Sequence, residues 1–204
     1  IIANPADQPK AIYISGFDTA PLAPDFDFIL KAEEKNLQSG IDALSKLTEG
    51  KIYLNLKSEN SESVFSKLKN VDINYFSGPH PAGNVGIQIH HLNPINKGEV
   101  VWDINPQELA MIGRLFANGK LDAKKTVALV GSEVKKPQYF ETMLGASIDK
   151  IIANNISENE NRIISGNVLT GSLISMKGFV GFYDSMISVI PEGNKAELLG
   201  WGMP

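Results

Sequence analysis

The chain has 204 residues, 43% hydrophobic and 21% charged, a length and composition that fit one folded domain, or one with a small appendage, and exclude wholesale disorder. Nineteen Lys and Arg against 23 Asp and Glu leave a formal net charge of −4, so there is no basic excess to neutralise phosphates, which argues against nucleic acid as a partner. With no cysteine present, disulfides, iron–sulfur ligation, thiolate metal sites and a cysteine nucleophile are excluded.

Ala11-Ile12-Tyr13-Ile14 is β-branched and aromatic and ends at Gly16, which predicts a buried strand. A proline-rich turn, Ala20 to Pro24, follows. Leu37, Ile41, Leu44 and Leu47 recur at three- and four-residue steps and predict a helix from Lys31 to Leu47, with Gly50 as its C′ residue. Lys51 to Leu56 returns as a strand. The polar stretch Ser58 to Ser63 leads into a short helix carrying Val64, Phe65 and Leu68, and Val71 to Phe76 predicts a third strand. Asn105-Pro106-Gln107-Glu108 supplies an N-cap, an N1 proline and a capping-box glutamate in order. Leu109, Ile112, Leu115 and Phe116 would form that helix's core stripe, closed by Asn118-Gly119.

The second half has strand-like segments at Thr126 to Gly131, Arg162 to Gly166, Met186 to Ile190 and Ala196 to Leu199, with one short helical turn from Ile148 to Ala153. The pattern predicts an α/β class: a Rossmann-like three-layer domain with a largely parallel sheet over residues 1–124, then a small β-rich unit over residues 125–204. No apolar run reaches the ~20 residues that cross a bilayer, so no transmembrane segment is expected. Ile1 to Pro5 lacks the pattern of a signal peptide. Apolar residues at both ends predict an internal piece of a longer polypeptide.

The segment Gly78-Pro79-His80-Pro81-Ala82-Gly83-Asn84-Val85-Gly86 follows a predicted strand, where α/β proteins place ligand loops. Its competing reading is a tight connection shaped by two prolines and its glycines. Only Gly83-x-x-Gly86 of a dinucleotide fingerprint is present and a Walker loop is absent, which argues against an ordinary NAD site. Among the three histidines, His90 and His91 are sequence neighbours and make no natural metal pair, while His80 sits between prolines. Asp18, Asp25 and Asp27 cluster in the first long loop, but no further ligand pattern accompanies them, so no metal site is expected. No Gly-x-Ser-x-Gly elbow or kinase loop appears, and no catalytic residue is assigned.

The Gly78 to Gly83 segment also resembles the G-P-H-P-A-G stretch of the NqrA family, one of the subunit families of the Na+-translocating NADH:quinone oxidoreductase. The similarity continues through Ala43 to Lys51, Ile112 to Phe116, Leu144 to Ser147, Ile164 to Gly171 and Gly200 to Pro204. It implies a peripheral subunit on the cytoplasmic face of the inner bacterial membrane, within a respiratory sodium pump. It implies other subunits as partners, with flavins and iron–sulfur centres housed on them and no cofactor in this stretch. By the same resemblance the second unit is a β-grasp (SLBB-like) domain whose first strand and turn include Gly131 to Pro137. Quinone is a candidate ligand, and His80, Gly83, Asn84 and Gly86 are the residues that would meet it. The alternative is an RnfC-like or complex I flavoprotein-like electron-transfer subunit that binds flavin or NADH.

Overall fold

A computed structural model describes residues 3–57 and 63–194. The expectations for residues 58–62, for the strand at Ala196 to Leu199 and for Gly200 to Pro204 lie outside these residues. The chain divides into two units, Ile1–Thr126 with Glu141–Leu144, and Val127–Phe140 with Gly145–Pro204.

The first unit begins with β1 (Ala11–Ser15), α1 (Phe26–Leu30), α2 (Glu34–Leu44) and β2 (Lys51–Leu56). After a 3-10 turn at Val64–Lys67 come β3 (Asp72–Tyr75), α3 (Val85–Leu92), β4 (Trp102–Ile104) and α4 (Pro106–Asn118). The strands form one parallel sheet in the order β3-β2-β1-β4. Its connectivity reverses direction at β1, so the carboxyl ends of β1 and β4 flank a topological switch point, the place where open α/β sheets hold ligands.

Alternation along β1 divides its side chains between two helical layers. Ile12 and Ile14 join Ile52, Leu54 and Leu56 in a core closed by Leu37 and Ile41 of α2, Leu109 and Ala110 of α4, and Phe65 of the 3-10 turn. Ala11 and Tyr13 face the other way and pack on Ile89 of α3. This is the three-layer parallel architecture that the sequence predicts.

Several elements differ from expectation. The helix placed at Lys31 to Leu47 is the shorter α2, and a separate helix, α1, precedes it, capped by Asp25, which accepts from the Phe28 amide. α2 then ends at Leu44, and Leu47 is exposed. Gly50 is therefore no C′ residue; a Cβ there would lie 1.9 Å from the Lys10 carbonyl oxygen, so it serves close backbone approach. On α4, Asn105 accepts from the Gln107 amide, Pro106 opens the helix and Gly119 closes it at φ 66, all as predicted. Of the expected stripe, Leu109 is buried and Ile112 packs against the core, but Ala110, Met111 and Gly113 complete the buried face and Phe116 is 69% exposed.

The second unit contains β5 (Lys124–Val130), β6 (Gln138–Met143), α5 (Asp149–Ile152), β7 (Asn161–Ser165), β8 (Ser172–Ile174) and β9 (Met186–Pro191), the first two of which begin or end in residues assigned to the first unit. The mixed sheet has the order β6-β5-β9-β7-β8. Numbered within the unit this is 2-1-5-3-4, with β5 and β9 parallel at the centre and α5 following the second strand, as in a β-grasp. Val127, Leu129, Ile148, Ile152, Ile187 and Val189 form its core. The first strand precedes Gly131, and Gly131 to Pro137 forms the turn alone.

Candidate functional site

The segment from Gly78 to Gly86 lies at the carboxyl end of the parallel sheet and runs into α3, whose N-cap is Asn84. It touches the loop that leaves β1. A Cβ on Gly83 would sit 2.5 Å from the Thr19 nitrogen and 2.9 Å from the Asp18 Cα, so bare backbone is needed for the two loops to meet. The Gly83 amide donates to Thr19 Oγ1 at 2.9 Å, and the same oxygen lies 3.2 Å from His80 Nδ1.

Beneath the loop is a polar row. The parallel register aligns Ser15 with Asn55 and Asn55 with Asn74 at the carboxyl ends of β1, β2 and β3. Gln88 of α3, fully buried, completes it. Its Nε2 donates to Ser15 Oγ at 2.9 Å and to the Ala82 carbonyl at 3.2 Å, and its Oε1 accepts from Asn55 Nδ2 at 2.9 Å. Asn74 Nδ2 donates in turn to Asn55 Oδ1 at 3.4 Å. Buried amides are stable only when their donors and acceptors are paired, and here the pairing ties the loop to three strands.

Of the sequence-predicted residues, Gly83 is buried against the first loop, while His80, Asn84 and Gly86 are exposed. Gly86 stands in the first turn of α3, with nothing within 4 Å of where its Cβ would be. First-turn amides such as those of Val85 and Gly86 have no intrahelical acceptor, which leaves donors directed at this surface. His90 and His91 are exposed at the far end of α3, with ring centroids 5.6 Å apart. Sequence reasoning missed Ser15, Thr19, Asn55, Asn74 and Gln88. The available signal was a polar residue last or next to last in each of three strands: Ser15, Asn55 and Asn74.

On the opposite side of the β1 loop is a cleft of about 330 Å3 lined by Gly16, Asp18, Asp25, Asp27, Leu56 and Lys57, among others. Its carboxylates have structural partners: Asp18 accepts from the Ala20 amide at 2.8 Å, Asp25 caps α1, and Asp27 accepts from Ser63 Oγ at 2.6 Å. Among the described residues no group of three or more metal-ligating side chains forms. Gly16 lies close against β2, since a Cβ would meet Leu56 Cδ2 at 2.6 Å. Its smallness thus serves packing against a neighbouring strand.

Three polar side chains of α4 hold the segment that follows it. The Gln107 carboxamide brackets Thr126, donating to its carbonyl at 2.9 Å and accepting from its amide at 2.8 Å. Glu108 pairs with the buried Lys125 ammonium at 3.0 Å, yet burial outweighs that charge and raises the Glu108 pKa. Arg114 donates to the Lys124 carbonyl at 3.0 Å and pairs with Glu33 at 3.2 Å.

In the second unit, Val168, Leu169, Leu173, Met176, Phe179, Phe182 and Tyr183 are exposed, all in the stretch from 168 to 183 that contains the edge strand β8. Between Gly166 and Ser185 the only charged residues are Lys177 and Asp184, and Asp184 accepts a hydrogen bond from Ser165. Among the described residues, no helix is long and apolar enough to cross a membrane.

Comparison with known proteins agrees with both units. A family model described as the NqrA second alpha/beta domain matches residues 1–121, and one described as the NQRA C-terminal domain matches residues 126–175. The NqrA subunit of the Na(+)-translocating NADH-quinone reductase of Pasteurella multocida is 39% identical over 96% of this chain and 44% of that protein. Its counterpart in Neisseria meningitidis is 40% identical over 97% of the chain and 44% of its own length. The chain thus spans less than half the length of these curated relatives. A solved chain of an NAD+-reducing NiFe-hydrogenase in the H2-reduced state shares the fold, with a TM-score of 0.65 at 14% identity over 91% of this chain and 41% of that one. A parallel three-layer unit and a β-grasp unit, matched in chain order by these two family models, establish that the chain belongs to the NqrA family.

Proposed function

We propose that this chain is a structural and interaction part of the NqrA subunit of a Na+-translocating NADH:quinone reductase. In this reading it is peripheral to the cytoplasmic face of the inner bacterial membrane, and the flavins and iron–sulfur centres are carried by other subunits. The observation that carries the reading is near-40% identity sustained over 96–98% of the chain to NqrA subunits of such reductases. The exposed apolar residues of the stretch from 168 to 183, which carries little charge, support a role in contacts. The cleft beside β1 supports the same reading over flavin or NADH binding, because a pyrophosphate placed there would face Asp18, Asp25 and Asp27, with Lys57 the one cationic lining residue among the described residues. Gly16, the sole glycine of that turn, is engaged with Leu56.

The test is deletion of the gene in a host that respires through such a complex, followed by Na+-stimulated NADH:quinone activity in its membranes. The reading expects activity to disappear and to return with the intact gene; undiminished activity refutes it. An absorbance scan of the purified full-length protein separates the alternative, which requires bound flavin or unaided NADH oxidation.

A second reading, quinone binding at the Gly78 to Gly86 loop, is favoured by one feature: exposed His80 and Asn84 flank the first-turn amides of α3. A quinone headgroup needs a donor near its carbonyls, and this surface offers several. Calorimetric titration with a water-soluble quinone checks it. His80→Ala weakens binding if His80 is part of the wall, and unchanged binding removes it.

A further inference from the structure

We infer that Gln88 is the positioning residue of the Gly78 to Gly83 loop: its buried carboxamide is what holds the loop's exposed groups at the carboxyl edge of the sheet. On the quinone reading above, and resting on it, Gln88 would then set the geometry of the ligand wall without touching the ligand. The side chain belongs to α3 but bonds outside its own helix, reaching β1 through Ser15, β2 through Asn55 and the loop through the Ala82 carbonyl. Ser15 extends the tie: its single hydroxyl proton faces the Phe17 carbonyl at 2.9 Å and the Gly83 carbonyl at 3.3 Å, one on each of the two loops. Loop and strands therefore share one amide, whose two donors and one acceptor are all engaged. A leucine of similar bulk would fill the space and satisfy none of these groups, leaving the Ala82 carbonyl and the Asn55 amide unpaired.

The role belongs to the donor, and that separates positioning from packing. Gln88→Met keeps length and apolar bulk but removes every hydrogen bond. Gln88→Glu keeps the shape and, when ionised, turns an acceptor toward the Ala82 carbonyl. When protonated, the new carboxyl regains one donor. Ser15, Asn55 and Ala82 are uncharged, and Asp18 and His80 on the joined loops are common to both variants, so a pH effect confined to Gln88→Glu reports the introduced group. Ser15→Ala is the milder variant if either Gln88 change unfolds the chain: it removes the β1 link and the Gly83 contact but leaves Gln88 bonded to Asn55 and Ala82, so a smaller loss of loop protection is expected.

Hydrogen exchange on the full chain reads the outcome. The Ala82, Gly83 and Asn84 amides, bonded to Pro79 O, Thr19 Oγ1 and Pro81 O, should exchange about tenfold faster or more in Gln88→Met and, at neutral pH, in Gln88→Glu, while Tyr13, Ile14 and Leu54 keep their protection. Acidification should restore loop protection in Gln88→Glu alone, after correction for intrinsic exchange. Unchanged loop protection in these variants overturns the inference, as does equal loss in β1 and β2, which would make Gln88 a packing residue. Titrating the same proteins with a soluble quinone tests the other claim separately. Loop release with no change in quinone binding leaves Gln88 as the positioning residue and removes the quinone reading.

Discussion

Replacing Gly113 by alanine should destabilise the first unit, although alanine is the better helix former. α2 and α4 meet through a reciprocal pair of close approaches: a Cβ on Gly40 would lie 2.4 Å from the Leu109 carbonyl oxygen, and one on Gly113 would lie 1.7 Å from the Asn36 carbonyl oxygen. Each glycine thus faces a residue one turn before the other glycine. Real Cβ contacts do not fall below 3.0 Å, so Gly113→Ala must part the backbones by about 1.3 Å. The obstacle is main chain, which cannot swing aside as a side-chain tip can. Leu37, Ile41, Leu109 and Ala110, all buried against this crossing, would lose a quarter to a half of their dispersion contact across a gap of ~1 Å.

Overpacking of this kind costs about 1–3 kcal/mol or more, against a propensity gain of about 1 kcal/mol. A net loss of about 1 kcal/mol or more is expected, or a fall in Tm of at least roughly 2–4 °C for a chain of this size. Gly86→Ala, where the added methyl meets nothing within 4 Å, is the control and should gain about 0.5 kcal/mol. Urea unfolding followed by far-UV circular dichroism measures both. A Gly113→Ala midpoint at or above wild type, or an equal loss in Gly86→Ala, would refute the close-approach reasoning.

The Tyr13 hydroxyl is buried with no hydrogen-bond partner among the described residues, while its ring stacks on Tyr53; Tyr13→Phe should raise stability by about 1 kcal/mol, and a loss on denaturation would show that the hydroxyl is satisfied. Thr19→Val removes the acceptor of the Gly83 amide and should cost about 1–2 kcal/mol, with Thr19→Ser recovering most of it. The raised pKa of Glu108 means that the native chain holds this proton to higher pH than the unfolded chain does. Its stabilising contribution is complete below the unfolded value of about 4.3 and is lost as pH rises through the native value. Melting curves across that window should therefore show wild type losing ground to Glu108→Gln with rising pH, and parallel curves would count against the burial argument.

Strands β1, β2, β7 and β9 were legible because buried parallel or central strands read as β-branched runs. α4 was legible because Asn105, Pro106 and Gly119 each do what their backbone chemistry allows. α3 was not: Val85-Gly86-Ile87 and two histidines make a poor helix former, and it is packing of Ile89 on Ala11 and Tyr13 that holds it. β4 is three residues long, too short for a period. The loop itself could be picked out, yet its support could not, since Ser15, Asn55 and Asn74 are brought together by parallel register. That register is a property of the folded sheet, and no local spacing encodes it.

Asp18 belongs to two surfaces at once. Its main chain carries the bare α-carbon of Gly83, and the same residue lines the acidic cleft. Were ligands to occupy both sides of this ridge, any influence of one on the other would by thermodynamic reciprocity run equally in both directions, and Asp18 is the residue whose substitution would reveal it.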